Sequence, residues 1–260
     1  MITFVVENLI LMILFPHAKI NIGLNVLTKR PDGYHEIASV FYPVKDCCDI
    51  LEVTEQQDFA FQATGIRIPK GENLCEKAFH LLKNDFSIPN VHIHLHKQIP
   101  IGAGLGGGSA DAAFTLRCLN SLFDLEISKE KLKEYAFRLG ADCPFFIQDK
   151  PKYIEGVGEK MTNIDLDLDA YEIRLINPNI YIATKEAYTG ISPKFPTTSL
   201  RELLSTPLKS WKGKIHNDFE KHIFNENPKL IEMKTRLYND GAIYAAMSGS
   251  GSVLYGIFDK

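Results

Sequence analysis

IPIGAGLGGGSADAA, residues 99–113, carries five glycines between positions 102 and 108 and then runs straight into alanines. Gly102, Gly104 and Gly107 spell G-x-G-x-x-G, the dinucleotide fingerprint, while Gly102 and Gly107 also frame a P-loop. The P-loop reading fails at one position, because Gly108 stands where that motif needs lysine. The dinucleotide reading fails on context. It needs a buried parallel strand before the turn and an acid about 20 residues on for the ribose. Asp124 and Glu126 stand near that distance, but the preceding VHIHLH (91–96) alternates, Lys97 and Pro100 intervene, and no βαβ repeat surrounds the loop. The shared physics survives both failures. Glycines let successive backbone N–H groups approach phosphate oxygens without a Cβ in the way. Ser109-Ala110-Asp111 then opens a helix whose free N–H groups favour the same anion.

Working outward, residues 12–62 read as β structure, with apolar runs at Ile20–Val26, Ile37–Val44 and Ile50–Thr54 and a turn at Arg30-Pro31-Asp32-Gly33. Residues 73–85 read as a helix with Leu74, Ala78, Leu81 and Leu82 on one face. After the loop, Ala112, Leu116, Leu119 and Phe123 recur at helical spacing. A further helix spans Ser128 to Leu139, capped by Ser128 and stopped by Gly140. Beyond residue 160, strands are expected at Tyr171–Ile176 and Tyr181–Ala183, and helices near 199–205, 216–225 and 228–239. YAAMSGSGSVLYGIF then closes the chain as strand, glycine turn and strand. His92, His94 and His96 share one strand face, but at i, i+2, i+4 they span too far to converge on one ion, so a solvated face is expected.

The chain has 260 residues and a net charge of -3, which gives no general bias toward nucleic acid or an anionic membrane. Any anion site must be local. Cys47, Cys48, Cys75, Cys118 and Cys143 form no C-x-x-C and are expected to be reduced thiols in a cytoplasmic protein. The apolar start MITFVVENLILMILF has no preceding Lys or Arg, is interrupted by Glu7-Asn8, and is too short to span a bilayer. Met12 onward reads as the first core strand, and residues 1–11 as an extra strand or a mis-assigned start.

At this point the motifs carry a resemblance. PIGAGLGGGSADAA resembles the ATP loop of the GHMP kinases. PHAKINIGLNVLTKRPDGYHEIASVF (16–41), LGADCPFFI (139–147) and AAMSGSGSVLYGIF (245–258) resemble three further motifs of that superfamily, in the family's order. The combination K-I-N…R-x-D-G-Y-H is similar to the branch whose substrate is 4-diphosphocytidyl-2-C-methyl-D-erythritol. His17 departs from it, standing where a small residue is more usual. The resemblance implies an α+β chain with the two-lobed GHMP kinase fold. Residues 1–160 would form an N-terminal, ribosomal-protein-S5-domain-2-like lobe that handles ATP. Residues 161–260 would form a ferredoxin-like C-terminal lobe, with the active site in the cleft between. It implies ATP as co-substrate, Mg²⁺ or a similar divalent cation, and a small-molecule alcohol carrying a cytidine diphosphate. No nucleic-acid or membrane partner is expected, and the chain would be a monomer or weak homodimer. Mevalonate- and homoserine-type kinases, and a non-catalytic nucleotide-binding relative, are the alternatives.

Asp142, in a turn after Gly140, reads on its own as a capping aspartate or as a carboxylate projecting to react; it falls on the family's catalytic aspartate. Lys19 lies in the apolar strand AKINIGLNV on the same side as Asn21, where it must meet an anion or snorkel from an edge; the resemblance makes it the catalytic partner. The resemblance also implies that Asn21, Tyr34 and His35 bind substrate, with Thr184 and Tyr188 aligning more loosely. For ATP it implies Asn73, Lys97, Pro100, Ile101, Gly102, Ala103, Gly104, Leu105, Gly106, Gly107, Gly108, Ser109 and Ala110. Ser248, Gly249, Ser250 and Gly251 form a second amide-lined turn. The metal ligands stay open, with Ser109 one candidate.

Overall fold

The computed structural model describes residues 2–6, 9–71 and 73–260. The chain divides into two compact units that interleave along the sequence instead of parting at one point. The first takes Met1–Ala18, Val44–Ile101 and Gly106–Asp149; the second takes Lys19–Pro43, Gly102–Leu105 and Lys150–Lys260. Two long strands, β3 (His17–Lys29) and β4 (His35–Cys48), each run on from one unit into the other, which is why the division recurs.

The first unit is a five-stranded sheet covered by helices. Its order is β1 (Ile2–Val6), β2 (Leu9–Leu14), β5 (Ile50–Glu55), β7 (Val91–Lys97) and β6 (Ala60–Gly65). Neighbours are antiparallel except β6 and β7. The apolar start thus forms a hairpin that joins the sheet, with β2 beginning at Leu9, ahead of the expected Met12; the Glu7-Asn8 interruption lies outside the described residues. Strand alternation decides what is buried. Val91, Ile93 and Leu95 are fully buried on β7, and Leu51 and Val53 pair with Leu95 and Ile93 across the ladder. Each such side chain contributes roughly 1.5–3 kcal/mol on burial. His92, His94 and His96 alternate onto the half-exposed face, where His94 meets Glu52 and both His94 and His96 meet the Thr64 hydroxyl. No group of three metal-ligating side chains occurs among the described residues.

Helices α1 (Leu74–Phe86), α2 (Gly107–Leu122), α3 (Lys129–Leu139) and α4 (Phe145–Gln148) complete this unit, with α2 against β2 and β5. Ser128 caps α3 and Gly140 ends it, as the sequence predicts; Asn73 and Glu76 form a capping box on α1 that the sequence reading did not name. The cysteines are free thiols. Among the described residues no helix is long and apolar enough to cross a membrane.

The second unit contains the sheet β3-β4-β8 (Lys152–Glu155)-β9 (Lys160–Asn163) and the antiparallel sheet β10 (Tyr171–Ile176)-β12 (Leu254–Asp259)-β11 (Tyr244–Met247). Its helices are α5 (Thr184–Thr189), α6 (Leu200–Leu204), α7 (Phe219–Glu226) and α8 (Pro228–Asn239), the last packed on β11 and β12. Trp211 is buried here, donating Nε1–H to the Thr206 carbonyl at 3.0 Å and standing edge-on to Tyr244. Two expectations fail. Tyr181–Ala183 joins no ladder and leads directly into α5. The helix expected from 216 begins at Phe219, because residues 216–218 are drawn to β3. The Leu24 N–H bonds the His216 carbonyl, the Asp218 N–H bonds the Leu24 carbonyl, and Asp218 accepts the Val26 N–H. A strand bridge wins the backbone groups that a first helical turn would have used.

Candidate active site

The glycine loop leaves β7 under tight control. Asp49 accepts the N–H groups of Gln98 at 2.6 Å and Ile99 at 2.8 Å. Gly102, Gly104 and Gly106 then take positive φ of 67°, 79° and 69°, a region other residues rarely enter. At Gly104 there is a second reason for glycine, since a Cβ would overlap the Ser248 carbonyl. Helix α2 starts at Gly107 with no side-chain cap, so its first-turn N–H groups and positive end are available to an anion.

Lys19 and Asn21 share a face of β3 in the second unit, as strand parity predicts. Both are buried, and Lys19 donates to Asn21 Oδ1 at 2.5 Å while its ammonium lies 4.2 Å from the Phe41 ring centre. Asn21 is fixed in turn. Its Nδ2 donates to Ser39, its N–H bonds Ser248 Oγ, and its carbonyl accepts the Tyr255 hydroxyl. The Lys19 N–H holds the Leu105 carbonyl at 2.9 Å. Strand β3 therefore touches both glycine-rich segments of this unit.

The second turn is anchored by side chains the sequence reading missed. Asn217 Nδ2 donates to the carbonyls of Met247 and Gly249, each at 2.8 Å, and Glu220 accepts the Met247 N–H at 2.7 Å. Ser248 Oγ donates to the Gly104 carbonyl, and Ser250 Oγ lies 3.3 Å from Thr184 Oγ1. A legible signal existed: Asn217 and Glu220 are polar residues amid the apolar Ile215, Phe219 and Ile223, and burial forces such groups to find partners.

The aromatic residues divide. His35 opens β4 and stacks on Tyr188, ring centres 4.7 Å apart and planes 19° from parallel. Tyr188 also meets Phe219 edge-on. Burial and nearby Lys29 push the His35 imidazole below its ordinary range, so it is neutral at pH 7 and each ring nitrogen has one role. Tyr34 remains in the turn, 65% exposed, with its N–H on Asp32 Oδ1. The structure pairs His35 with Tyr188, and the neighbouring Tyr34 takes no part in that stack.

In the first unit, Asp142 sits in the turn after α3, half-exposed. The Cys143 N–H bonds the Gly140 carbonyl and the Phe145 N–H bonds the Asp142 carbonyl. Buried Phe145 and Phe146 follow at once, so the backbone carrying the carboxylate is pinned on both sides. The Asn73 side-chain oxygen is engaged in capping α1. Lys97 is buried between the carboxylates of Asp49 and Asp111. His17, the departure noted above, sits between Phe114 and Phe146 and bonds Asp149, which also pairs with Arg117.

These features belong to a known architecture. The family model for the GHMP kinases N terminal domain matches residues 73–150, and that for GHMP kinases C terminal matches residues 199–260. A homoserine kinase from Cytophaga hutchinsonii, 15% identical, superposes with a TM-score of 0.69 over 100% of this chain and 88% of its own, a likeness of fold alone. The fold is that of the GHMP kinases. A 4-diphosphocytidyl-2-C-methyl-D-erythritol kinase of Bacteroides fragilis is 49% identical over 95% of this chain and 92% of its own. One of Azobacteroides pseudotrichonymphae is 49% identical over 96% and 94%. A solved 4-(cytidine 5'-diphospho)-2C-methyl-D-erythritol kinase is 32% identical, with a TM-score of 0.79 over 95% of this chain and 90% of its own. The chain belongs to the 4-diphosphocytidyl-2-C-methyl-D-erythritol kinase family.

Proposed function

We propose that the protein transfers the γ-phosphoryl group of ATP to the 2-hydroxyl of 4-diphosphocytidyl-2-C-methyl-D-erythritol, releasing ADP and the 2-phosphate. The step belongs to the non-mevalonate route to isoprenoids and would take place in the cytoplasm. The observation that carries the reading is the loop of positive-φ glycines ending on an uncapped α2. It offers amides to phosphate oxygens where a P-loop would offer a lysine.

Each residue then has a role that its surroundings support. Asp142 takes the proton of the attacking hydroxyl from a turn its neighbours hold still. Lys19, steadied by Asn21, meets the negative charge that develops during transfer. Tyr188 and His35 present aromatic faces and a neutral imidazole edge to a pyrimidine, with Tyr34 available from the adjoining turn. Thr184, beside Ser250, contributes a polar contact to the same substrate. A divalent cation bound with the nucleotide would supply charge neutralisation, and Ser109, at the start of α2, is the protein group that would hold it.

An ADP-release assay with the cytidyl diphosphate alcohol, mevalonate and homoserine as acceptors tests the substrate; release with homoserine or mevalonate alone would overturn it. Asp142→Asn is expected to lower turnover about 10³-fold while ATP still binds. Near-normal turnover in that variant would remove Asp142 from the mechanism.

A further inference from the structure

Lys97 breaks a pattern. Positions 91, 93 and 95 on its face of β7 are apolar and fully buried, and Lys97 follows them at the same parity, 3% exposed. Burial of an ammonium demands a carboxylate, and Asp49, 0% exposed, supplies one. That pair is already neutral. Yet Asp111, 2% exposed, also accepts from Lys97 Nζ, at 2.7 Å. The second carboxylate is in excess of what neutrality needs, and its Oδ1 has no hydrogen-bond partner among the described residues. A purely structural pair has no use for it.

The geometry shows what Asp111 adds. Asp49 grips the N–H groups of Gln98 and Ile99, the chain entering the glycine loop. Asp111 lies in α2, the chain leaving it. Lys97 joins the two, and its Nζ lies against the first residue of α2, where a Cβ on Gly107 would come within 2.9 Å of it. We propose that Asp111 is a positioning residue for ATP: acting through Lys97 and Asp49, it fixes the entry and exit of the glycine loop relative to each other. The proposal rests on the reading that this loop holds the nucleotide's phosphates.

The test combines steady-state kinetics with calorimetric binding of ATP, the second substrate omitted. Asp111→Ala keeps the Lys97–Asp49 pair but severs loop entry from exit. Its KM for ATP is expected to rise about tenfold, with kcat at saturating ATP falling less than about threefold. Asp111→Asn restores shape and an acceptor, and should return KM to near the wild-type value at pH 7. Asp111→Leu, which keeps the bulk but offers no acceptor, is expected to raise KM as the alanine variant does. A wild-type KM in Asp111→Ala or Asp111→Leu, or a KM for Asp111→Asn as high as theirs, would overturn the proposal. The comparison of the asparagine and leucine variants stands even if the alanine variant fails to fold. Failure of the wild-type protein to bind ATP at all would instead overturn the kinase reading of the loop, and this proposal with it.

Discussion

The turn Ser248–Gly251 and the loop Gly102–Ser109 both present backbone N–H groups through glycines at positive φ, but they are anchored by different chemistry. Neutral amide and hydroxyl groups do most of the work at the turn: Asn217 takes two carbonyls and Ser248 links it to Asn21 and Gly104. The loop is anchored at its base by the Lys97 ammonium and the side chains of Asp49 and Asp111, all buried. Neutral hydrogen bonds hold equally well across the physiological range, whereas a buried ionic cluster holds according to its protonation. On the proposed reading, the segment that would hold the phosphates has an ionic anchor and the neighbouring turn a neutral one.

The comparison breaks most completely at the point where the two segments touch. Gly104→Val would drive a side chain into the Ser248 carbonyl at a φ of 79°, so both elements must move. A loss of about 100-fold in kcat/KM for ATP is expected, read by steady-state kinetics. Asn217→Ala sharpens the neutral half. It strips two buried carbonyls of their donor, and denaturant unfolding should show a loss of about 2–3 kcal/mol, the same at pH 6 and pH 9. Asp111→Asn sharpens the ionic half with the smallest change. A carboxyl raised in the folded state contributes stability that is complete below its unfolded value near 4. That contribution is lost as pH climbs through the folded value of about 8. The melting temperature of Asp111→Asn relative to wild type should therefore rise between pH 5 and pH 9, by the equivalent of about 1–3 kcal/mol. A difference independent of pH would show that Asp111 does not titrate in this window.

What was legible in the sequence follows from range of interaction. The loop, the cap at Ser128, the stop at Gly140 and the shared face of Lys19 and Asn21 are set by neighbours within a few residues, and local rules read them correctly. Residues 216–218 look like the start of a helix because their competitor, Leu24, lies far back in the chain. Asp49 and Asp111 were missed for the same reason; alternation on β7 shows that Lys97 is buried and needs an anion, but not which one answers. The chemistry of the reaction was legible only as four motifs in order. Within them, the K-I-N…R-x-D-G-Y-H stretch is the one that points to the cytidyl-alcohol branch over its homoserine and mevalonate counterparts.

Trp211 has a practical consequence. It is the chain's single tryptophan, it lies in the second unit, and it is 2% exposed against Tyr244. Its emission is a local probe, so a fluorescence melt follows the second unit alone, while far-ultraviolet dichroism averages over helices in both. Coincidence of the two curves would mean that the interleaved units melt as one cooperative body; separation would give each its own midpoint, without a label or a truncation.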